Sequence, residues 1–180
     1  MKVGDVMYLV ACKDDIEILR NKIMASVEMT SQKVRSYQET MDPIKLMFEM
    51  RFHKLGFDPI THTALNFVEQ LNQMFSDLVV LEGAQYLVHN YPGKVFRLHL
   101  GTESGFDIES DDGQIVAECF AVTTVRSNDK LAKDSKKLMK YNNCAKKYIF
   151  MYSQSDSIDY LHNRFAKYPG ICFVTFDRLY

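Results

Sequence analysis

What the chain lacks narrows its class before any motif is read. Its 180 residues contain no run of 18 or more apolar residues, so no stretch reads as a membrane-spanning helix. The most apolar segments, residues 6–12 and 171–176, are only strand-length. The N-terminus, MKVGDVMYLVACKDD, lacks the long apolar region and small-residue cleavage site of a secretory signal. These absences predict a soluble, cytoplasmic protein with no membrane partner. Cysteine is scarce: Cys12, Cys119, Cys144 and Cys172 are the only four, and no two lie within four residues of each other. That spacing excludes a CxxC metal or redox motif, and the apolar, strand-like surroundings of three of them predict reduced thiols rather than a disulfide framework. The five histidines show neither HExxH nor HxH spacing. No internal repeat or low-complexity tract interrupts the chain.

Charge of either sign is also in small excess. A net charge of −1 argues against holding nucleic acid by bulk charge. The mean conceals an asymmetry, because residues 118–180 carry 11 Lys+Arg against 6 Asp+Glu, while the rest carries 11 against 17. A basic C-terminal part facing an acidic N-terminal part is compatible with a local polyanion-binding face.

What is present is an alternation of periods. Residues 6–12 (VMYLVAC) read as a short buried strand. Ile16, Leu19, Ile23, Met24 and Val27 recur every three to four residues and predict a helix from 14 to about 39. Asp42 and Pro43 mark the cap and first position of a second helix, with Gly56 as its stop. A third helix is expected to open near Thr61 to Thr63, with Leu65, Val68, Leu71, Phe75 and Leu78 on one face. Residues 84–89, 95–100, 106–110 and 115–124 then read as strands, the last two joined by the hairpin signal Asp111-Asp112-Gly113. Ser127 and Asn128 are expected to cap a helix over 129–142. Strand 147–152, helix 157–168 and strand 171–176 follow. The order predicts an α/β protein with a central mixed β-sheet flanked by helices. Residues 1–60 form a helical N-terminal extension packed on a core of 61–180.

The segment that carries chemistry is GFDIESDDGQIVAECFA, residues 105–121. Asp107 falls in one strand and Glu118 in the strand that returns after the turn, so their side chains are expected on one side of neighbouring strands. A carboxylate flanked by Ile-Val-Ala and Cys-Phe-Ala is costly to bury unless it is paired, hydrogen-bonded or bound to metal. Two hard oxygen ligands a strand apart suit Mg²⁺ or Mn²⁺.

Helix, three-stranded antiparallel meander, helix, strand, with an acid on the second strand and another on the third, resembles the PD-(D/E)XK nuclease-like superfamily. The resemblance covers roughly residues 61–152. It implies a restriction-endonuclease-like core, Mg²⁺-dependent hydrolysis of DNA, and Asp107 and Glu118 as the metal-holding catalytic acids. Glu69 would be the acid of the first core helix. The lysine expected two residues after the third-strand acid is absent, since Phe120 stands there. Some members relocate a catalytic side chain to the following helix, where Lys130, Lys133, Lys137 and Lys140 form one stripe. Lys130 or Lys133 is expected to deliver the ammonium, and Lys137 and Arg126 to contact nucleic acid. The alternatives are a catalytically silent nuclease-like module that binds nucleic acid or protein, and a subunit that dimerises through its N-terminal helices.

Overall fold

The computed structural model describes residues 8–101, 105–126 and 129–179. Its element order is β1 (Tyr8–Val10), α1 (Lys13–Thr40), α2 (Pro43–Phe52), β2 (Gly56–Phe57), β3 (Ala64–Leu65), α3 (Phe67–Asn90) and β4 (Phe96–Leu98). There follow β5 (Ile108–Ser110), β6 (Ile115–Val122), α4 (Lys130–Lys140), β7 (Lys146–Ser153), α5 (Ile158–Phe165) and β8 (Cys172–Phe176). Six strands form one mixed sheet in the order β1-β4-β5-β6-β7-β8, and β2 pairs with β3 in a separate two-stranded ribbon. The pairings from β1 to β6 are antiparallel; β6, β7 and β8 run parallel. The expected α/β architecture is therefore present, with the first strand closing one edge of the sheet.

Strand β6 explains the layering. Ile115, Ala117 and Cys119 join a core with Leu81, Ala84 and Leu87 of α3 and Ile16, Leu19 and Ile23 of α1. The alternating residues Val116 and Phe120 join a second core with Leu131 and Leu138 of α4 and Leu161 of α5. A strand buried on both faces reads as a continuous apolar run because each alternate side chain meets its own layer of helices. Glu118 is the one ionisable carboxylate inside that run.

The N-terminal helices follow the sequence closely. Asp42 accepts hydrogen bonds from the backbone N–H groups of Ile44 and Lys45, each at 3.1 Å, and Pro43 occupies the first position of α2. The third helix departs from expectation at both ends. Residues 61–65 do not open it, because Asp58 folds them into a turn by accepting from the N–H of Ile60 and of Thr61, and β2 then pairs with β3. The helix starts instead at Phe67, where Asn66 and Glu69 form a reciprocal capping box. Residues 84–89, expected as a strand, are its last turns. Leu78, Leu81, Ala84 and Leu87 are buried at a spacing of three residues, and Tyr91-Pro92-Gly93 ends the run. The antiparallel meander is thus the three strands β4 to β6, with β1 as the fourth. Ser127 and Asn128, expected to cap the next helix, lie outside the described residues; the helix itself begins at Lys130, after Asp129 in a left-handed conformation. Cys12 and Cys172 are exposed in spite of their apolar sequence surroundings, Cys119 is buried, and all four thiols are free. No helix among the described residues is long and apolar enough to cross a membrane.

One close approach fixes α3 on the sheet. A Cβ added at Gly83 would meet Phe150 of β7 at 2.7 Å and 2.9 Å from two ring carbons. Gly83→Ala gains about 1 kcal/mol of helix propensity, but it must push α3 off a fully buried ring, an overpacking that costs roughly 1–3 kcal/mol. The expected result is a net loss of stability in urea unfolding, larger for Gly83→Val. A gain for Gly83→Ala would show that the helix is free to shift.

Candidate active site

The register of the β5–β6 pair sets the geometry. Ile108 pairs with Ala117, so Asp107, one residue before the strand, stands beside Glu118. The next backbone group of β6, the N–H of Cys119, lies past the start of β5. It donates instead to Asp107 Oδ2 at 2.6 Å. Asp107 thereby takes the place of a strand partner at the end of the ladder. Its backbone is held from the other side, where its carbonyl accepts from the N–H of His99.

Glu118 points to the α4 face of the sheet with its neighbours Val116 and Phe120, and is 2% exposed. Burial comes first and the charge of Asp107 second in pushing its carboxyl up to about 7, against the pull of Lys137. Asp107 is also raised by burial, although the Cys119 N–H and the lysines of α4 favour its charged form. Two largely desolvated carboxylates therefore repel each other side by side.

The cation that answers them is Lys137. Its Nζ pairs with Glu118 Oε1, donates to the carbonyl of Gly105 and lies 4.9 Å from the centroid of the Phe106 ring. Lys130 and Asp134 share the same flank of α4, four residues apart, with 3.0 Å between Nζ and Oδ2. Burial disfavours the charge on Lys130, yet Asp134 outweighs it and the ammonium is held above its ordinary range. Asp134 is buried and its carboxyl is raised despite that lysine.

The other expected residues are dispersed. Lys133 is exposed on α4. Arg126 is exposed, with its guanidinium 4.4 Å over the ring of Tyr160. Phe120, at the position of the missing lysine, is 2% exposed and packs in the α4–α5 core. Glu69 does not reach the pair. It is spent at the start of α3, accepting from the Asn66 N–H at 2.8 Å and from Lys54 at 2.6 Å. The acid of α3 whose charge does reach Asp107 is Asp77, two turns further along. Its Oδ1 accepts from the Gly101 N–H at 3.0 Å and its Oδ2 has no hydrogen-bond partner among the described residues. Burial, and after it the nearby Asp58, lift its carboxyl to about 7 against the Gly101 N–H. Asp77 and Asp134 carry only weak signals in the sequence. The signal for Asp77 was an acid directly before the apolar stretch Leu78-Val79-Val80-Leu81; the signal for Asp134 was its place between Leu131 and Leu138.

The donors present discriminate between metals. Among the described residues no three or more His, Cys, Asp or Glu side chains stand close enough to form a cage, which does not match a closed structural zinc site. Two mutually repelling carboxylates fit a hard divalent cation that keeps waters and takes its remaining ligands from a phosphate. Asp107 through its second oxygen and Glu118 would hold such an ion.

Comparison of the chain with family models, with curated proteins and with solved structures finds no match.

The buried acids give stability a definite pH dependence. Asp77 and Glu118 titrate in the folded chain near 7, well above their ordinary values of 3.8 and 4.5. The folded chain therefore holds more protons than the unfolded chain between about pH 4 and 7, and stability falls across that window as pH rises. Each group contributes up to about 1.4 kcal/mol per pH unit. Asp77→Asn keeps an acceptor for Gly101 and removes one ionisation. The urea midpoint of that variant is expected to fall less than that of the wild type between pH 4.5 and 8; parallel curves would refute the assignment.

Proposed function

We propose that the chain is a Mg²⁺-dependent endonuclease of PD-(D/E)XK-like type that hydrolyses phosphodiester bonds in DNA, in a restriction or phage-defence setting. The observation that carries this reading is buried Glu118 with the partly buried Asp107 beside it at the start of the neighbouring strand, and a lysine from the following helix paired with Glu118. The order α3, β4–β6, α4, β7 supports it, as the succession expected of a restriction-endonuclease-like core.

A divalent ion at the pair would lower the pKa of a bound water and offset charge on the scissile phosphate. The residues of the chain divide the remaining work. Asp107, anchored by the Cys119 N–H, presents its second oxygen from a fixed backbone. Glu118 presents its carboxylate from the centre of the sheet, where no rotamer change in a loop can displace it. The ammonium of Lys137, steered by Gly105 and Phe106, is the donor placed to meet a phosphoryl oxygen as charge builds on it. Lys137 thus takes the part first expected of Lys130 or Lys133. Lys133, Lys136 and Lys140 lie exposed on α4 and supply positive charge for phosphates further along the duplex.

One observation favours the alternative of a catalytically silent module. Lys137 already serves as counter-ion to the buried carboxylate, and that structural role stands whether or not the site reacts. The two readings separate in a plasmid assay with Mg²⁺ or Mn²⁺. Wild type is expected to nick supercoiled DNA, with Asp107→Ala and Glu118→Gln each reducing the rate by about 100-fold or more. Lys137→Met is expected to lose a similar factor while still folding. Absence of cleavage by wild type, or undiminished cleavage by Asp107→Ala, would overturn the nuclease reading. Salt-sensitive DNA binding without cleavage would establish the silent module.

A further inference from the structure

Helix α2 presents an apolar face to solvent. Ile44, Met47, Phe48 and Phe52 are 72%, 59%, 61% and 64% exposed, while Leu46 alone on this helix is buried. Ile44, Phe48 and Phe52 follow at intervals of four, so they line one side of the helix. The rings of Phe48 and Phe52 lie against each other, tilted at 39° with centroids 5.6 Å apart, and the Arg51 guanidinium lies 5.9 Å from the Phe52 centroid. The helix is held to the rest by its opposite side and by the Lys54–Glu69 bridge just beyond it. Scattered exposed apolar residues are ordinary; a continuous stripe of four large ones on a ten-residue helix is the mark of an interaction surface.

We propose that this face is the contact of a two-fold symmetric homodimer, with α2 packed antiparallel against α2 of a second copy. Two features select a second copy as the occupant. The first is charge. Glu39 and Asp42 lie at the N-terminal end of the helix, with Lys45 one turn in, and Arg51 and His53 lie at its C-terminal end, Lys54 being taken up by Glu69. Antiparallel pairing brings each acidic end beside a basic one, whereas parallel pairing sets like ends together. Glu49, the acid within the helix, is turned away into a pair with His53 at 2.7 Å. The second is area. Four side chains at this exposure offer roughly 500 Å², so two copies bury at most about 1,000 Å² in all, the threshold of a specific interface. The surface suits a self-association that is reversible and concentration-dependent. It is independent of the chemistry at Asp107 and Glu118.

Sedimentation equilibrium of the full chain over about 1–500 µM tests the proposal. The weight-average mass is expected to climb from the 20.9 kDa of one chain toward twice that value. Phe48→Glu with Phe52→Glu is expected to hold it at the single-chain mass, with unchanged circular dichroism. Should that pair of changes unfold the protein, Ile44→Glu alone is expected to weaken association by about tenfold. A mass that stays single across the whole range would overturn the dimer. So would a mass that rises equally in the variants, which would locate the contact elsewhere. Co-sedimentation with phosphatidylserine vesicles by a wild type that remains monomeric, lost in the double variant, would assign the face to lipid and equally refute the proposal.

Discussion

The constraint on which the centre of this molecule depends is the burial of a carboxylate in a strand that has helices on both faces. Glu118 is almost wholly withdrawn from water, so its charge must be answered at the site or suppressed by a proton. Both answers are present. Lys137 approaches from α4, and Asp107, also desolvated, raises the cost of keeping the second charge. Removing Lys137 leaves Glu118 without its ion-pair partner and only Lys130 to act on the two carboxylates; removing Asp107 leaves the Cys119 N–H without its acceptor. The geometry of β5, β6 and α4 is tied to that balance.

Strain of this kind is an expense that an inert core would avoid. An apolar residue at 118 would pack between Val116 and Phe120 with no desolvation penalty. The neighbouring acids deepen the oddity, since Asp77 and Asp134 are also buried and also raised. Concentrated perturbed acids in one region are what active sites contain, and also what buried ion-pair networks contain. The lysine on the adjoining helix is what weights the choice toward a reacting centre. It serves as a counter-ion in the resting protein, and on the proposed reading it would act on a phosphate once Glu118 had another cation beside it.

Much of the architecture was legible in the residues, and the misreadings have physical causes. The amphipathic spacing of α1, the Asp42-Pro43 start of α2 and the Asp-Asp-Gly turn before β6 each carry a local signal that tertiary structure did not override. The end of α3 carries none. Residues 78–88 are apolar on several sides because they pack on both α1 and the sheet, and a short apolar run of that sort reads equally as strand or helix. The Asp107–Glu118 adjacency was readable from the hairpin alone. The choice among the lysines was not, because which member of a helical stripe reaches the sheet depends on how α4 is rotated and on where its first turn begins. Glu69, the first-helix acid that the resemblance implied, is taken up by the capping box of α3.

The most direct test of the account is calorimetric titration of Mn²⁺ into the free protein at pH 8 and at pH 6. The account predicts one site, weaker at pH 6 because Glu118 must lose its proton to bind, and absent in Asp107→Asn. Failure to bind at either pH, or binding that is indifferent to Asp107→Asn, would contradict the claim that these two carboxylates form a metal site.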